Sequence, residues 1–485
     1  MLSKTDFFLY LEAPMHLWAK AHNQIEVDAL TPYDQHLAQQ GQQVEALAQN
    51  YIKQVVLPGY QNAKIYFQKT FNDGRFLSRV DALIWDREAD AYDLFEIKSS
   101  TSVKPEHELD LTFQVLLLEN LLNLRHVVLL HIDKTYQRAE DLALERFFIC
   151  KELSEKVENR RTFVAENREI ARSLMQLPSP QPGFACHKPQ SCPCPSLCHP
   201  DHPPHSVYDL PYLGKKAAAL REMGVISIHD IPDALEFNPN QSKHIRAVKL
   251  GEPLIEKRAI KQRLDGLDHP LYFLDYETVN PAIPLFPGYQ PYEHIIFQYV
   301  LYVLEKPGAV PLLYEYLHTA PNDPAPEITP HLLNHIGSHG SVIVWNQSFE
   351  KHRNLDLARR CPQYADGLMD VNARLFDLMK IFKDGCYVHP DFHGSASLKA
   401  VLPVLCPHLS YTDLEIQNGE ETMLKWYWLQ TGEPSPEERK ATEDAMKAYC
   451  GLDTLGMVEI YQHLNKIVGG EDGPLSDGKS VKTAR

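Results

Sequence analysis

The period of the hydrophobic positions changes several times along the chain. "QQVEALAQNYIKQVV" (residues 42–56) carries its apolar residues at helical spacing, whereas "SRVDALIWD" (78–86) and "AYDLFEIKSS" (91–100) read as strands. "DLTFQVLLLENLLNL" (110–124) predicts a mostly buried helix, and "HVVLLHID" (126–133) a further strand. Residues 206–268 are polar, with short helical patterns around a turn, and read as a connector. A second alternating zone opens at "PLYFLDYETV" (270–279). It continues through "SVIVWNQSFEKH" (341–352), a strand running into a helix, to the helical "MKAYCGLDTLGMVEIYQHL" (446–464). The pattern predicts an α/β protein in four parts: a module over 1–200, a helical connector over 201–267, a second module over 268–468 and a disordered tail over 469–485.

Composition narrows this only a little. A length of 485 residues suits roughly two to three domains. No apolar run approaches the ~18 residues of a membrane span, and the opening residues lack a secretory pattern, so no membrane partner is expected. Five of the nine cysteines are scattered singly, as in a reduced, cytoplasmic protein. The other four fall within "CHKPQSCPCPSLC" (186–198), and in that setting a dense run reads as a metal site. A net charge of −16 argues against an overall basic nucleic-acid binder but leaves open a nuclease, whose acidic ligands can sit beside a locally basic groove.

The first candidate chemistry is Asp81 on one predicted strand, with Glu96 and Lys98 two residues apart on the next. Residues two apart share a strand face. Two carboxylates can hold a divalent cation, and a lysine beside them can steady an attacking water or developing phosphorane charge. A surface hairpin with a charge pair is the plainer account of these residues alone. Glu45 lies upstream on a predicted helix and Gln114 downstream on another. The order Glu, Asp, Glu-x-Lys, Gln, with the opening "LSKTDFFLYLEAPMHLW", resembles the RecB-like PD-(D/E)xK nucleases, including their CRISPR-associated relatives, over about residues 1–200. The resemblance implies a restriction-endonuclease-like fold with Glu45, Asp81, Glu96 and Lys98 at the active site, Asp81 and Glu96 as metal ligands and Gln114 in support.

Iron–sulfur members of that family clamp a 4Fe–4S cluster with one cysteine near the N-terminus and three beyond the nuclease core. Carried over, the three are Cys186, Cys192 and Cys198, with five residues between successive thiols. The N-terminal position, before Pro14, is Ala13. Cys194 supplies a fourth thiolate, enough for a 4Fe–4S cluster or a tetrahedral zinc, and His187 or His199 could replace a ligand and favour Zn²⁺. On this reading the thiols staple the end of the first module.

The second constellation lies on "LYFLDYETVN", an apolar strand with Asp275 and Glu277 on one face. Buried carboxylates are costly unless they meet a cation. Asn346 and Glu350 follow a later strand, and Tyr449 and Asp453 stand one helical turn apart. This ordered set resembles the DnaQ-like (RNase H-fold) DEDDy 3′–5′ exonucleases. It is most similar to the domain found fused behind RecB-like nucleases, and "NPAIPLFPGYQPYEHIIFQY" and "YVHPDFHGSASLKAVLP" extend the likeness over 268–466. The resemblance implies Mg²⁺ or Mn²⁺ held by Asp275, Glu277, Glu350 and Asp453, with Tyr449 orienting the water. That superfamily usually has Asp where Glu350 stands. Ser397 and Lys399 either touch a nucleic-acid backbone or cap and solvate a helix. The expected substrate is single-stranded DNA, with RNA as the other choice. Two further readings stay open: one module catalytic and the other a clamp, or a non-enzymatic nucleic-acid-binding scaffold.

Overall fold

The computed structural model describes residues 1–25, 31–181, 183–214, 216–412, 414–469 and 482–483. The protein is a mixed α/β chain that divides into two compact units. One comprises Met1–Asp201 with Asn280–Glu293, the other His202–Val279 with His294–Arg485.

The first unit is built on a six-stranded sheet: β1 (Leu2–Ser3), β2 (Ala63–Asn72), β3 (Phe76–Asp86), β4 (Ala91–Lys98), β5 (Leu124–Ile132) and β6 (Phe148–Glu152). The order runs β1-β3-β4-β5-β6, with β2 also paired to β3. β3 and β4 are antiparallel, while β4 and β5 are parallel and joined by the helix Pro105–Leu118, the kind of crossover that parallel pairing requires. That helix is apolar nearly all round and buried along most of its length, packing Leu111 and Leu118 against Leu83 and Leu129 while Phe113 meets Phe7 and Phe76.

The segment Asn280–Glu293 belongs to this unit although it lies far along the chain. Ala282 is 1% exposed in the core with Ile84 and Phe95, and its N–H donates to Gln40 Oε1 at 3.2 Å. Arg138 exchanges backbone hydrogen bonds with Gly288 and Tyr289 and donates from its guanidinium to Pro284 O at 2.7 Å. The Tyr292 hydroxyl donates to Ser99 O.

The second unit begins with a small pair, β7 (Leu254–Ile255) against β13 (Tyr387–Val388). Its main sheet contains β8 (Leu271–Val279), β9 (Ile295–Leu304), β10 (Leu312–Leu317), β11 (Ser341–Val344), β12 (Leu375–Asp377) and β14 (Lys482–Thr483), in the order β12-β11-β8-β9-β10-β14. The alternation in β8 explains its two sides. Leu271 and Phe273 enter the cluster that holds Met457, Ile460 and Leu464 of the helix Pro436–Ile467, whereas Tyr272, Leu274 and Tyr276 enter another with Ile328 and Leu332. Asp275 and Glu277 continue the first of these faces.

Residues 202–279, which include most of the segment expected as a connector over 201–267, cluster with the second unit. Their short helices bury Val207, Leu210, Leu220, Ile228, Ile245 and Val248 in a small core of their own, which gives the segment a fixed structure. The tail lies mostly outside the described residues. Within it, Lys482–Thr483 pairs in parallel with β10.

Candidate functional site

The constellations expected from the sequence fall one in the second unit and two in the first. In the second unit, β8 supplies Asp275 and Glu277, the first turn of the helix Gln347–Arg360 supplies Glu350, and the helix Pro436–Ile467 supplies Tyr449 and Asp453. These five lie within electrostatic reach of one another, and donor atoms of Asp275, Glu277 and Cys450 lie within 4.8 Å of each other. Glu277, Glu350 and Asp453 are 8%, 3% and 9% exposed, and Glu350 Oε2 is buried without a hydrogen-bond partner.

Burial, then repulsion from Asp453, pushes the Asp275 carboxyl up to about 8. Burial, then Asp275, raises Glu277 and Glu350 well above the usual carboxylate range. Asp453 is raised by burial too, although hydrogen bonds from Tyr411 and Tyr449 oppose this. An uncompensated carboxylate cluster of this kind is unfavourable without a cation.

Three neighbours were not singled out from the sequence. Tyr411 donates its hydroxyl to Asp453, and Cys450 is buried with Sγ 4.0 Å from Asp275 Oδ2. Asp377, at the end of β12, has a buried Oδ1 without a partner and adds to the charge felt by Glu350. Lys399 lies within electrostatic reach of Glu277 and Asp453 and lowers both. Ser397 occupies the N-cap position of the helix Leu398–Leu405, with its hydroxyl bonded to that of Ser395 at 3.1 Å. Beside the acids, a cavity of about 500 Å³ is lined by Asn346, Lys351, Asp377, Lys380 and Lys383.

In the first unit, Glu96 and Lys98 share a face of β4, and Lys98 Nζ donates to Glu96 Oε1 at 2.7 Å. Gln114 Nε2 donates to Glu96 Oε2 at 2.7 Å. Two residues that sequence reasoning missed complete the set. Asp110 accepts from Lys98 at 2.7 Å and from Gln114 at 2.8 Å, and Lys4 reaches both Glu96 and Asp110 at 3.0 Å. Burial alone would lower both ammonium groups, but Glu96 and then Asp110 more than offset it, so both are raised. Asp110 is itself raised, by burial and then Glu96.

Asp81 and Glu45 stand one step away. Asp81 Oδ2 accepts from Ile97 N at 2.8 Å, and Gln68 Nε2 bridges Asp81 Oδ1 at 3.2 Å and Glu45 Oε1 at 2.6 Å. Gln68 adopts φ 50° within β2, where the register runs from Phe67↔Ala82 to Lys69↔Val80 and passes over Gln68 and Asp81. A left-handed glutamine in a strand is strained, and here the conformation serves that bridge.

The first unit also holds the thiol cluster. His16, Cys186, Cys192 and Cys198 each offer one donor atom, all within 4.8 Å of one another, so the cluster could hold a metal ion. The fourth donor is thus His16, three residues beyond Ala13, rather than Cys194, His187 or His199. It sits buried on the helix Pro14–Ala21 with Nε2 3.6 Å from Cys192 Sγ. Cys194 stays next to the set, its Sγ 3.8 Å from that of Cys198, and His199 Nε2 lies 3.2 Å from Cys186 Sγ, whereas His187 is exposed.

Among known proteins, the family described as a domain of unknown function (DUF2779) matches residues 272–397, which include Asp275, Glu277 and Glu350 but not Tyr449 or Asp453. The uncharacterized protein MG366 of Mycoplasma genitalium is 25% identical over 221 residues, 41% of this chain and 32% of the relative. Its homolog in Mycoplasma pneumoniae is 25% identical over 208 residues, covering 39% and 31%. The chain thus spans about a third of the length of these curated relatives. Among the described residues no helix is long and apolar enough to cross a membrane.

Proposed function

We propose that the second unit is a metal-dependent phosphodiesterase acting on nucleic acid, a DEDDy-type 3′–5′ exonuclease of RNase H-like fold. The observation that carries this reading is the meeting of Asp275, Glu277, Glu350 and Asp453, all held above the ordinary carboxylate range, with one Glu350 oxygen buried and unpartnered. Such a set fits Mg²⁺ or Mn²⁺, hard cations that take oxygen ligands. When bound there, the ions would supply Lewis-acid stabilisation of phosphoryl oxygens and lower the pKa of bound water.

The chain's own groups do the rest. Tyr411 donates to Asp453 and steadies that carboxylate, and the Tyr449 hydroxyl, one turn before Asp453 on the same helix, would orient a water beside the acid cluster. Lys351, Lys380 and Lys383 around the adjoining cavity suit the phosphates of a strand, single-stranded DNA or RNA.

In the first unit, the restriction-endonuclease-like reading assigns Glu96, Lys98 and Asp81 to a second phosphodiester-cleaving site. One observation favours the rival in which this unit is a clamp: Lys98 and Lys4 already neutralise Glu96 and Asp110, so no cation is needed to balance them. The thiol cluster is read as structural. Its His16–Cys192 separation of 3.6 Å matches the edge, about 3.6 Å, of a tetrahedron with Zn–S and Zn–N bonds of about 2.3 and 2.05 Å, and all four donor atoms lie within 4.8 Å of one another. A 4Fe–4S cubane, with each thiolate on a different iron, would hold the sulfurs farther apart. The donors therefore fit one Zn²⁺-like ion better.

The test is degradation of single-stranded DNA and RNA, labelled in turn at each end, with Mn²⁺. Asp275→Asn is expected to abolish trimming from the 3′ end. Lys98→Ala should remove a separate cleavage if the first unit is catalytic, and should weaken only binding if that unit is a clamp. Intact substrates with the wild-type protein under all these conditions would refute the enzyme reading.

A further inference from the structure

A second group of metal-binding side chains lies in the second unit, apart from the acid cluster. His205, Asp209 and His393 each present a donor atom, all within 4.8 Å of one another. Local structure explains how they meet. A 3₁₀ turn over Val207–Asp209 is closed by a capping box, with Ser206 N donating to Asp209 Oδ2 at 2.9 Å, which places His205 and Asp209 on one side of the turn. The turn Pro390–Phe392 ends at His393, which adopts φ 48°, and Gly394 follows at φ 71°. The two backbones touch there: a Cβ on Gly394 would stand 1.6 Å from Asp209 O, so only glycine permits this approach.

An ordinary ion pair accounts for part of this cluster but leaves three features unexplained. First, His393 Nδ1 lies 3.4 Å from Asp209 Oδ2, long for a charge-assisted hydrogen bond, yet equal to the tetrahedral edge expected for bonds of about 2.0–2.1 Å. Second, His205 Nδ1 is buried with no hydrogen-bond partner. Third, His244, 2% exposed on the helix Pro239–Leu250, also has a buried Nε2 without a partner. A third imidazole thus stands close enough to His205 and His393 to interact with both. Unpartnered buried imidazole nitrogens beside a carboxylate are what a cation site looks like without its ion.

We propose that His205, Asp209 and His393, with His244 beside them, bind one divalent transition cation of the Zn²⁺ class. Two imidazoles and a carboxylate suit Zn²⁺ far better than Mg²⁺, and the side chain of His393, 51% exposed, leaves an open side for water. The ion would tie the segment after Asp201 to the loop before the helix Leu398–Leu405, which carries Lys399 toward Glu277 and Asp453. The site thereby fixes the approach of that lysine without belonging to the acid cluster. It stands independently of the proposed nuclease activity.

The test loads the full-length chain with Co²⁺ in excess Mg²⁺, which fills hard carboxylate sites and competes poorly for imidazole. Wild type is expected to take up one equivalent more than His393→Asn, a substitution that tolerates positive φ. The difference spectrum should show ligand-field bands without sulfur-to-metal charge transfer, which separates this site from the thiol cluster. Asp209→Asn keeps an acceptor for Ser206 N and should weaken the same equivalent at least tenfold. Equal Co²⁺ uptake by all three proteins, or a difference spectrum dominated by sulfur charge transfer, would overturn the proposal. If His393→Asn does not fold, the Co²⁺ affinity of Asp209→Asn decides alone, and a value unchanged from wild type refutes the site.

Discussion

Replacing Asp275 by Asn should make the metal-free protein more stable at pH 8 while weakening its response to Mn²⁺. The Asp275 carboxyl moves from 3.8 to about 8 on folding. Between those values the folded state holds a proton that the unfolded state has released, so stability falls as pH rises through the window. At about 1.4 kcal/mol per unit over about four units, the loss from this one group reaches at most about 6 kcal/mol. It is absent below pH 4 and complete above pH 8. A divalent cation removes the penalty, and at a concentration about 100-fold above its Kd it adds about 2.7 kcal/mol.

Hydrogen-exchange mass spectrometry reads the effect where it arises, in β8 and the helix Pro436–Ile467. After correction for intrinsic exchange, wild-type protection there should drop from pH 5 to pH 8 without metal and recover with Mn²⁺. Asp275→Asn should lose less protection with pH than wild type, since Glu277, Glu350 and Asp453 still titrate, and should be better protected than wild type at pH 8 and respond less to Mn²⁺. The reasoning fails if the variant is the less protected protein at pH 8 without metal, or if Mn²⁺ protects both equally.

Two other substitutions separate roles. Tyr449→Phe removes a hydroxyl that interacts electrostatically with Asp453, so kcat for 3′-end trimming should fall about 100-fold while Mn²⁺ affinity stays near wild type; a parallel loss of both would make Tyr449 a positioning residue for the metal ligands instead. His16→Ala should cost the purified protein one equivalent of metal by elemental analysis, whereas His16→Cys should keep it; full metal content in the alanine variant would remove His16 from the donor set.

Much of the second unit's acid cluster was legible because its geometry is local. Asp275 and Glu277 share a strand face, Tyr449 and Asp453 one helical turn, and both relations follow from period alone. Tyr411 and Asp377 were not visible, since each reaches the cluster from an element whose placement depends on tertiary packing. In the first unit, Asp110 was hidden by its own helix. "DLTFQVLLL" reads as apolar core, and nothing in its spacing shows that Asp110 and Gln114, one turn apart, would both face Glu96. Gln68 works through a backbone conformation that its residue type does not suggest. His16 is not legible in the sequence, because ligand positions separated by some 170 residues of chain fix which segments meet, not which residue on a helix supplies the donor.

The segment Asn280–Glu293 has a practical consequence for anyone who would take the protein apart. The chain passes between its two units after Asp201, after Val279 and again after Glu293, so no single cut separates them. A fragment ending near residue 201 would leave Arg138 without Pro284 and Tyr289, and would open the buried seat of Ala282 to solvent. Deleting the segment from a second-unit fragment would in turn require a new turn between β8, which ends two residues beyond Glu277, and β9. A designed fragment of the first unit therefore needs residues 280–293 grafted on by a linker, and an activity lost on simple truncation would report a missing piece of scaffold rather than dependence on the other active site.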